Sequence, residues 1–545
     1  MDKREVRTKD GAELSAVGIA IGVVGCVIIT ASSVYTALKM GALPWPTIFT
    51  SITSLVLLRA LGHNSLNEAN TTQIIMSAGS MVAGGIAFTI PAAWMLGHTG
   101  EVDLFQMLFV ALTGTLLGLV STAFIRKRLI EESELEFPIG IAAAQTLNAS
   151  QAGGATGAKL FGSMAFAGLW SVARDVWGII PSMLLSLPIP GVAFGLYNSP
   201  MMLSIGFLVG GAAVAFWFGG ALFANFGIVV GGTSLGLWDV ATAQSIVSSL
   251  GMGLMMGSGL GVVLRDILPK IAGYLRERDG RKSSDGDVSR GDAGVLALLV
   301  GAAALIACFG LGLGPVTTVV VVALSFVTTI MSAQSVGQTG IDPMEIFGLI
   351  VLLAVAALGE SDQVRLIFVA AIIAVACGLG GDVMSDFKTG QLIGTSPRKM
   401  WIGQAIGSLL GTVVSVVSMF ALVKAYGTEA FGPGQAFVSA QASVVATMIS
   451  GIPSVPAFVV GLVAGIAFYC LGLPSMMIGL GVYLPFYMSL SAPIGALAKV
   501  LFDKFRNKDN SSEDDGVVVA SGLLGGESIV GVIIALVTVI MGLAG

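Results

Sequence analysis

Along this chain the apolar residues come in long blocks, not in the narrow stripe of a surface helix. Blocks near 13–37, 42–62, 72–96 and 104–125 are followed by an interval, 138–265, with room for four more. Further blocks lie near 293–312, 315–333, 345–359 and 364–380, then 400–423, 436–450, 453–471, 474–497 and 517–544. Most have the ~20 residues that a helix needs to cross a hydrocarbon core. Two, 138–150 and 436–450, are too short and read as half-helices or re-entrant segments. The first block is longer than the ~7–15 residues of a signal-peptide core, so it reads as a retained first span. The pattern predicts an all-α polytopic membrane protein of about 16 transmembrane helices, some of them broken or re-entrant.

Composition supports this prediction. Of 545 residues, 55% are hydrophobic and only 11% charged, with mean hydropathy +0.91. A soluble fold of this length needs far more polar surface to cover its core. Glycine is abundant, 74 residues, and spaced with Ala and Ser as in MVAGGIAF (81–88), which lets helix backbones approach closely in lipid. The four cysteines, Cys26, Cys308, Cys377 and Cys470, are scattered through apolar blocks and form no CxxC pair.

Most Lys and Arg fall in five clusters, at 1–12, 126–128, 265–290, 398–399 and 499–508. The positive-inside bias puts these in the cytoplasm, with the N-terminus, and the plasma membrane is the expected location. The loop HTGEVD (98–103) has no Lys or Arg and suits the outside face. The one long polar stretch in the middle, 274–292, reads as a linker between an N-terminal membrane half (1–273) and a C-terminal one (293–545). A weak echo, PMMLSIGF (200–207) against PSMMIGLG (474–481), with GAL at 220–222 and again at 495–497, suggests that the halves are related. Such repeats recur in secondary transporters, with substrate between the halves.

Several chemistries are missing. No glycine loop ends in Gly-Lys-Ser/Thr, so ATP-driven transport by this chain alone is not expected. Two histidines and no HExxH leave no zinc protease site. Leu379 stands where an intramembrane aspartyl protease has its first glycine, so an enzyme is not expected, and no metal site or cofactor is called for.

What remains is a sparse set of polar groups inside apolar blocks, each expensive in lipid unless it faces a cavity or partner. NEANTTQ (67–73) opens the third block: Asn67 or Asn70 would cap the helix, and Glu68 would favour its dipole or serve as a proton or substrate group. In EESELEFPIGIAAAQTLNA (131–149) the acids suit a solvated loop balancing Arg126–Arg128, while Gln145 sits on a Pro-initiated half-helix beside a possible polar cavity. In SAQSVGQTGIDPMEIF (332–347), Gln334, Gln338 and Asp342 flank a Gly–Pro stretch where a helix end could face an anion. GGDVMSDFKTGQLIGTSPRKM (380–400) is the densest patch, where Asp382, Asp386 and Lys388 could neutralise one another.

At these four places the sequence resembles the oligopeptide transporter (OPT) superfamily, and a prokaryotic member related to the yellow-stripe-like metal-chelate transporters in particular. DVMSDFKTGQLIGTSPRKM (382–400) is similar to the family's D-x-x-x-D-x-K-T-G-x-x-x-G-x-x-P-[RK] signature. NEANTTQIIMSAGSMVAGGIAFTIPA (67–92), LEFPIGIAAAQTL (135–147) and TGIDPMEIFGL (339–349) resemble three further stretches, with Ile139 where the family usually has Glu. The eukaryotic peptide branch's Asn-Pro-Gly-Pro-Phe motif is absent. The resemblance implies a duplicated bundle of about 16 helices and proton-coupled uptake of peptides or peptide-like metal chelates. Candidate substrate or ion ligands are Glu68, Gln73, Gln145, Gln334, Thr339, Asp382, Asp386, Lys388 and Thr389. A Na⁺-coupled carrier of another small solute, or a channel, is the alternative. The partners implied are a small peptide or chelate, the coupling H⁺ or Na⁺, the bilayer and a second copy of the chain, with no nucleic acid.

Overall fold

A computed structural model describes residues 13–41, 43, 46–133, 135, 137–149, 156–209, 211–262, 264–265, 290–339 and 342–505 together with 512–544. The expected linker lies, up to residue 289, outside the described residues, as do Glu134 and Glu136.

The chain is almost entirely helical. Its first part holds α1 (Ala16–Met40), α2 (Pro46–Ala60), α3 (Leu66–Ala87), α4 (Pro91–Met95), α5 (Leu104–Arg126), α6 (Pro138–Ala149) and α7 (Thr156–Asp175). After α7 come α8 (Pro200–Val209), α9 (Gly211–Leu222), which widens into π turns through Gly231, and α10 (Val240–Val262). The second part holds α11 (Arg290–Leu305), α12 (Pro315–Thr339), α13 (Met344–Ala357), α14 (Gln363–Gly381), α15 (Val383–Ile393), α16 (Pro397–Tyr426), α17 (Ala440–Ser450), α18 (Val455–Cys470), α19 (Ser475–Tyr483), α20 (Phe486–Phe505) and α21 (Ser512–Ala544). Among the described residues nine helices are long and apolar enough to cross a membrane, and five apolar helices are shorter. The two short blocks form α6 and α17, of 12 and 11 residues. At 1.5 Å per residue neither reaches across ~30 Å of hydrocarbon.

One element departs from the helical reading. Met183–Ile189 (β1) and Val192–Tyr197 (β2) form an antiparallel hairpin turned at Pro190–Gly191, where Gly191 takes φ +77°. Leu184, Leu185 and Leu187 make this stretch look like a span, but Pro188 and the Pro-Gly turn favour strands over helix. Ser491 of α20 seals the outer edge of β2, accepting from the Tyr197 N–H at 3.0 Å and donating to the Tyr197 carbonyl at 3.1 Å.

Contacts between the two parts are reciprocal. Gly206 of α8 lies against the Ala492 carbonyl, and Gly481 of α19 against the Trp217 carbonyl; Gly220 lies against Ile478 and Gly495 against Leu203. Each residue sits the same distance along the chain from its counterpart. The ends of the first helices behave alike. Phe137, just before α6, donates its N–H to Gly337, third from the last residue of α12; Ser439, just before α17, donates to Leu38, third from the last of α1, both at 2.9 Å. Phe137 (φ 53°) and Ser439 (φ 46°) are also the two non-glycine residues with left-handed backbone among those described. That conformation is costly for a phenylalanine and persists where surrounding structure enforces it.

At the centre α3 packs on α14. Gly85 lies against Val375, and Gly378 against Met81, so the chain rises along α3 as it descends along α14. A side chain at Gly85 would clash with the Val375 backbone, while one at Gly378 would fit tightly against Met344 and Met81. Meanwhile α3 runs parallel to α16, through Gly79 against Gly411, and α14 runs parallel to α5, through Gly118 against Leu379. Equivalent helices that cross antiparallel are related by a pseudo-twofold axis perpendicular to them, the geometry of an inverted repeat. In this scheme α1–α10 match α12–α21, and α11 is the unmatched helix between them.

Candidate functional site

α14 gives way to the arm α15 at Asp382, a helix break whose own dihedrals stay helical (φ −61°, ψ −39°). Asp382 sits at the bend and Asp386 four residues on, one turn further along the same face. Asp386 is 1% exposed and held by neutral donors from α3: Gln73 Nε2 donates to one carboxylate oxygen and Ser77 Oγ to the other, both at 2.7 Å. Gln73 is itself fixed by a hydroxyl, since Ser51 Oγ on α2 donates to its Oε1 at 2.7 Å.

Opposite the bend, the loop between α12 and α13 brings in Asp342. Ser332 Oγ lies 2.7 Å from its Oδ1 and 3.1 Å from the Cys377 carbonyl, while Asp342 Oδ2 is buried without a partner. Its carboxylate lies against the backbone of Gly381, which leaves no room for a side chain there. Glu345, in the first turn of α13, is buried as well. The electrostatic neighbours of Asp382 are thus Asp342, Asp386 and Glu345. Four carboxylates gather around one bend, and no ion pair joins any of them to a Lys, Arg or His among the described residues. Buried acceptors without partners gather there too, including Gln334 Oε1 and Gln404 Oε1.

The other expected residues take distinct places. Thr389 is buried on α15, donating to the Gly140 carbonyl of α6 at 3.0 Å, which ties the arm to that half-helix. Lys388 forms no ion pair with Asp382 or Asp386 among the described residues. Residues two apart on a helix face different ways, so the neutralisation expected between Asp386 and Lys388 does not form. The side chains of Gln145, Gln338 and Thr339 lie outside the described residues.

Glu68 is at the far end of α3. It accepts from Ser15 Oγ and contacts His63 Nδ1 at 3.0 Å. The helix cap is Ser65, whose Oγ accepts from the Glu68 N–H at 3.3 Å; neither Asn67 nor Asn70 caps it. Both asparagines turn to Thr395 instead. Asn67 and Thr395 border a cleft of about 540 Å³, lined also by Glu13, Arg126, Glu131 and Gln391 among others. Ion pairs Arg126–Glu131 and Lys399–Glu13 stand at this face, so two of the basic clusters in the sequence converge on it. The α15 arm runs from the acidic bend to the cleft.

Sequence reading missed Glu345 and kept Asp342 only as part of a motif. An acid in the first turn of a helix is an ordinary dipole partner, and nothing local marks this one as buried. No group of three or more His, Cys, Asp or Glu that could hold a metal ion exists among the described residues.

The chain matches the sequence model described as "OPT oligopeptide transporter protein" over residues 13–265 and 277–538. It is 23% identical over 591 residues to a "Putative oligopeptide transporter" of Haemophilus influenzae, covering 92% of each chain. A shorter match, 40% identical over 103 residues, links 17% of this chain to 15% of the metal-nicotianamine transporter YSL2 of Arabidopsis thaliana. A third, 26% identical over 253 residues, covers 42% of this chain and 35% of the putative oligopeptide transporter YGL114W of Saccharomyces cerevisiae. The chain belongs to the OPT family, whose members are membrane transporters and not enzymes.

Proposed function

We propose that this protein is a secondary active transporter of small oligopeptides or peptide-like metal chelates across the plasma membrane, coupled to H⁺. The observation that carries the reading is the set of four carboxylates around the α14–α15 bend without a cationic partner. Uncompensated negative charge in a low-dielectric interior is prohibitive, so such acids take up a cation or stay protonated. A site that must be neutralised in one state and released in another is what ion coupling requires. Asp382 and Asp386 are the proposed proton carriers, with Gln73 and Thr389 fixing the arm that bears them. The linker 274–292 joins the halves 1–273 and 293–545, and the substrate binds between them. The basic clusters at the cleft favour a cytoplasmic vestibule and a cytoplasmic N-terminus.

The test is uptake of labelled tri- and tetrapeptides, and of their iron chelates, into proteoliposomes with and without an inward pH gradient. Accumulation that collapses with a protonophore, and that loses its pH dependence in Asp382→Asn or Asp386→Asn, supports the reading. Accumulation insensitive to the protonophore but dependent on external Na⁺ sinks the proton assignment. A specific feature favours that second reading: the Asp342 carboxylate, the Ser332 hydroxyl and the Cys377 carbonyl present oxygen ligands of the kind that hold Na⁺. Flux that never exceeds the external concentration under either gradient would make the protein a channel.

A further inference from the structure

The end of α1 carries a second polar cluster, in which one cation, Lys39, touches no acid. Lys39 Nζ stands 5.9 Å from the centre of the Tyr35 ring and 5.2 Å from that of Phe437. Phe437 is also edge-on to Tyr35 at 5.7 Å, so two aromatic rings wall the ammonium, and Tyr426 backs Phe437 edge-on at 5.2 Å. Lys39 has no ion pair among the described residues. Its nearest acids are already taken. Glu527 is engaged by Arg174 at 2.9 Å, by Ser199 Oγ at 2.9 Å and by the Met201 N–H at 2.8 Å, and Asp175 is held by Arg174 at 2.7 Å. Arg174 in turn lies over the Tyr197 ring at 5.3 Å. Arg174 thus serves both acids, and Lys39 balances their second negative charge without touching either.

Counting from Leu38 and Gly337, Tyr35 and Lys39 occupy the positions that Gln334 and Gln338 hold in the second half. Of the two copies of the repeat, only the first carries a cation at this position. The ammonium of this half-buried lysine, walled by aromatic rings and in contact with no acid, offers strong hydrogen-bond donation to an anion. Lys39 lies near the end of α1 opposite the cleft, because α1 starts beside Glu13 and runs parallel to α3, so the cluster and the cleft lie toward opposite faces.

We propose that Lys39, walled by Tyr35 and Phe437, is a binding residue for a carboxylate group of the transported solute, on the side opposite the cleft. This rests on the carrier reading above and names the chemistry recognised: a free carboxylate, as at the C-terminus of a peptide or on an amino-carboxylate chelator. The remainder of the solute extends toward the acidic bend.

The experiment compares uptake of a labelled tripeptide free acid with its C-terminal amide, in proteoliposomes of the wild type and of Lys39→Gln, Lys39→Arg and Tyr35→Phe. In the wild type KM for the acid is expected to be about tenfold or more below that for the amide, the value of one charge-assisted hydrogen bond. Lys39→Gln raises KM for the acid to that of the amide and leaves the amide unchanged. Lys39→Arg keeps the preference, and Tyr35→Phe, which retains the ring, keeps it also. Equal KM for acid and amide in the wild type, or a preference that survives Lys39→Gln, overturns the inference while uptake itself keeps the carrier reading intact. No uptake of either peptide by folded protein that still accumulates an iron chelate overturns this inference and leaves the carrier reading intact, whereas uptake of neither peptide nor chelate removes both.

Discussion

The two halves of the repeat bend at equivalent places and fill them differently. Four residues beyond Gly378 the second half has Asp382, and four further Asp386; the same counts from Gly85 give Thr89 and Ala93 in the first half. Thr89 spends its hydroxyl on the Gly85 carbonyl at 2.6 Å, and the turn around Pro91 is packed with Ile90, Ala92 and Trp94, the last tilted against Phe431 at 4.8 Å. One bend is a dry hinge; the other holds carboxylates. At the end of each half's first helix the asymmetry runs the other way, with the cation Lys39 in the first and the neutral Gln338 in the second. A duplicated scaffold with opposite charges at its two ends has a direction. The geometry supplies the symmetry, and four or five side chains break it.

The largest effect expected is at Asp386. Asp386→Asn keeps the shape of the network, because an amide oxygen still accepts from Gln73 Nε2 and an amide N–H can donate to Ser77 Oγ. The variant should fold and reach the membrane, yet lose accumulation against a gradient by about a hundredfold or more, since one protonatable group is gone. The check is concentrative uptake beside facilitated exchange. Exchange should survive. If Asp386→Asn still accumulates solute at the wild-type level, the acidic bend is not the coupling site. The mirror change, Ala93→Asp, places a carboxylate in the dry hinge and should fail to fold.

A second asymmetry concerns stability. Arg174 and Glu527 are each 1% exposed and join α7 to α21. Counting from the matching close approaches, Gly526 on Met164 and Gly253 on Phe458, their partners in the other half are Phe468 and Leu254, which share a hydrophobic cluster. One copy of the repeat solves this position with an ion pair and the other with apolar packing. Glu527→Leu alone leaves Arg174 with Asp175 and the Asn198 carbonyl but removes its fully buried acid, and should cost about 1–3 kcal/mol. Combined with Arg174→Phe, the apolar solution should recover most of that loss, although Asp175 and the Asn198 carbonyl also lose a donor. Thermal unfolding of the two single variants and the double variant in detergent gives the coupling. Additive losses would mean that the two positions are not equivalent.

Much of this was legible in the sequence, for identifiable reasons. Long apolar blocks report spans directly, and the two blocks too short to cross became α6 and α17. The echo between 200–207 and 474–481 corresponds to α8 and α19, whose glycines make the reciprocal approaches. The aspartates of the 382–400 segment were visible because an acid in an apolar block is conspicuous. What escaped notice depended on long-range placement. Glu345 looks like a routine first-turn acid, and only the packing of α13 against α14 buries it. Lys39 looks like a basic residue at the end of a span, and nothing local says that Phe437, about four hundred residues away, covers it. The hairpin at 183–197 hides behind apolar strands, with Pro188 and Pro190 as the signal to the contrary.

The smallest effect expected lies on the face opposite the cleft, where the loop after the dry hinge meets the start of α14. His98 Nδ1 contacts Glu101 at 2.9 Å and its Nε2 contacts Gln363 at 2.9 Å. The hydrogen bond to Glu101, with a lesser contribution from Gln363, raises the His98 pKa above its ordinary value. A histidine whose folded pKa exceeds its unfolded one, about 6.5, stabilises the fold through its protonated form. That contribution is fully present below about pH 6.5 and disappears as the pH rises through the raised folded value. Solvent screening keeps it small, no more than about 1 kcal/mol. Replacing His98 with Gln should therefore lower the melting temperature slightly at pH 5.5 and by less at pH 8.5. A difference of the same size at both pH values would mean that the ring acts only as a neutral hydrogen-bonding strut between the hinge loop and α14, and that protonation at this face has no part in holding the two halves together.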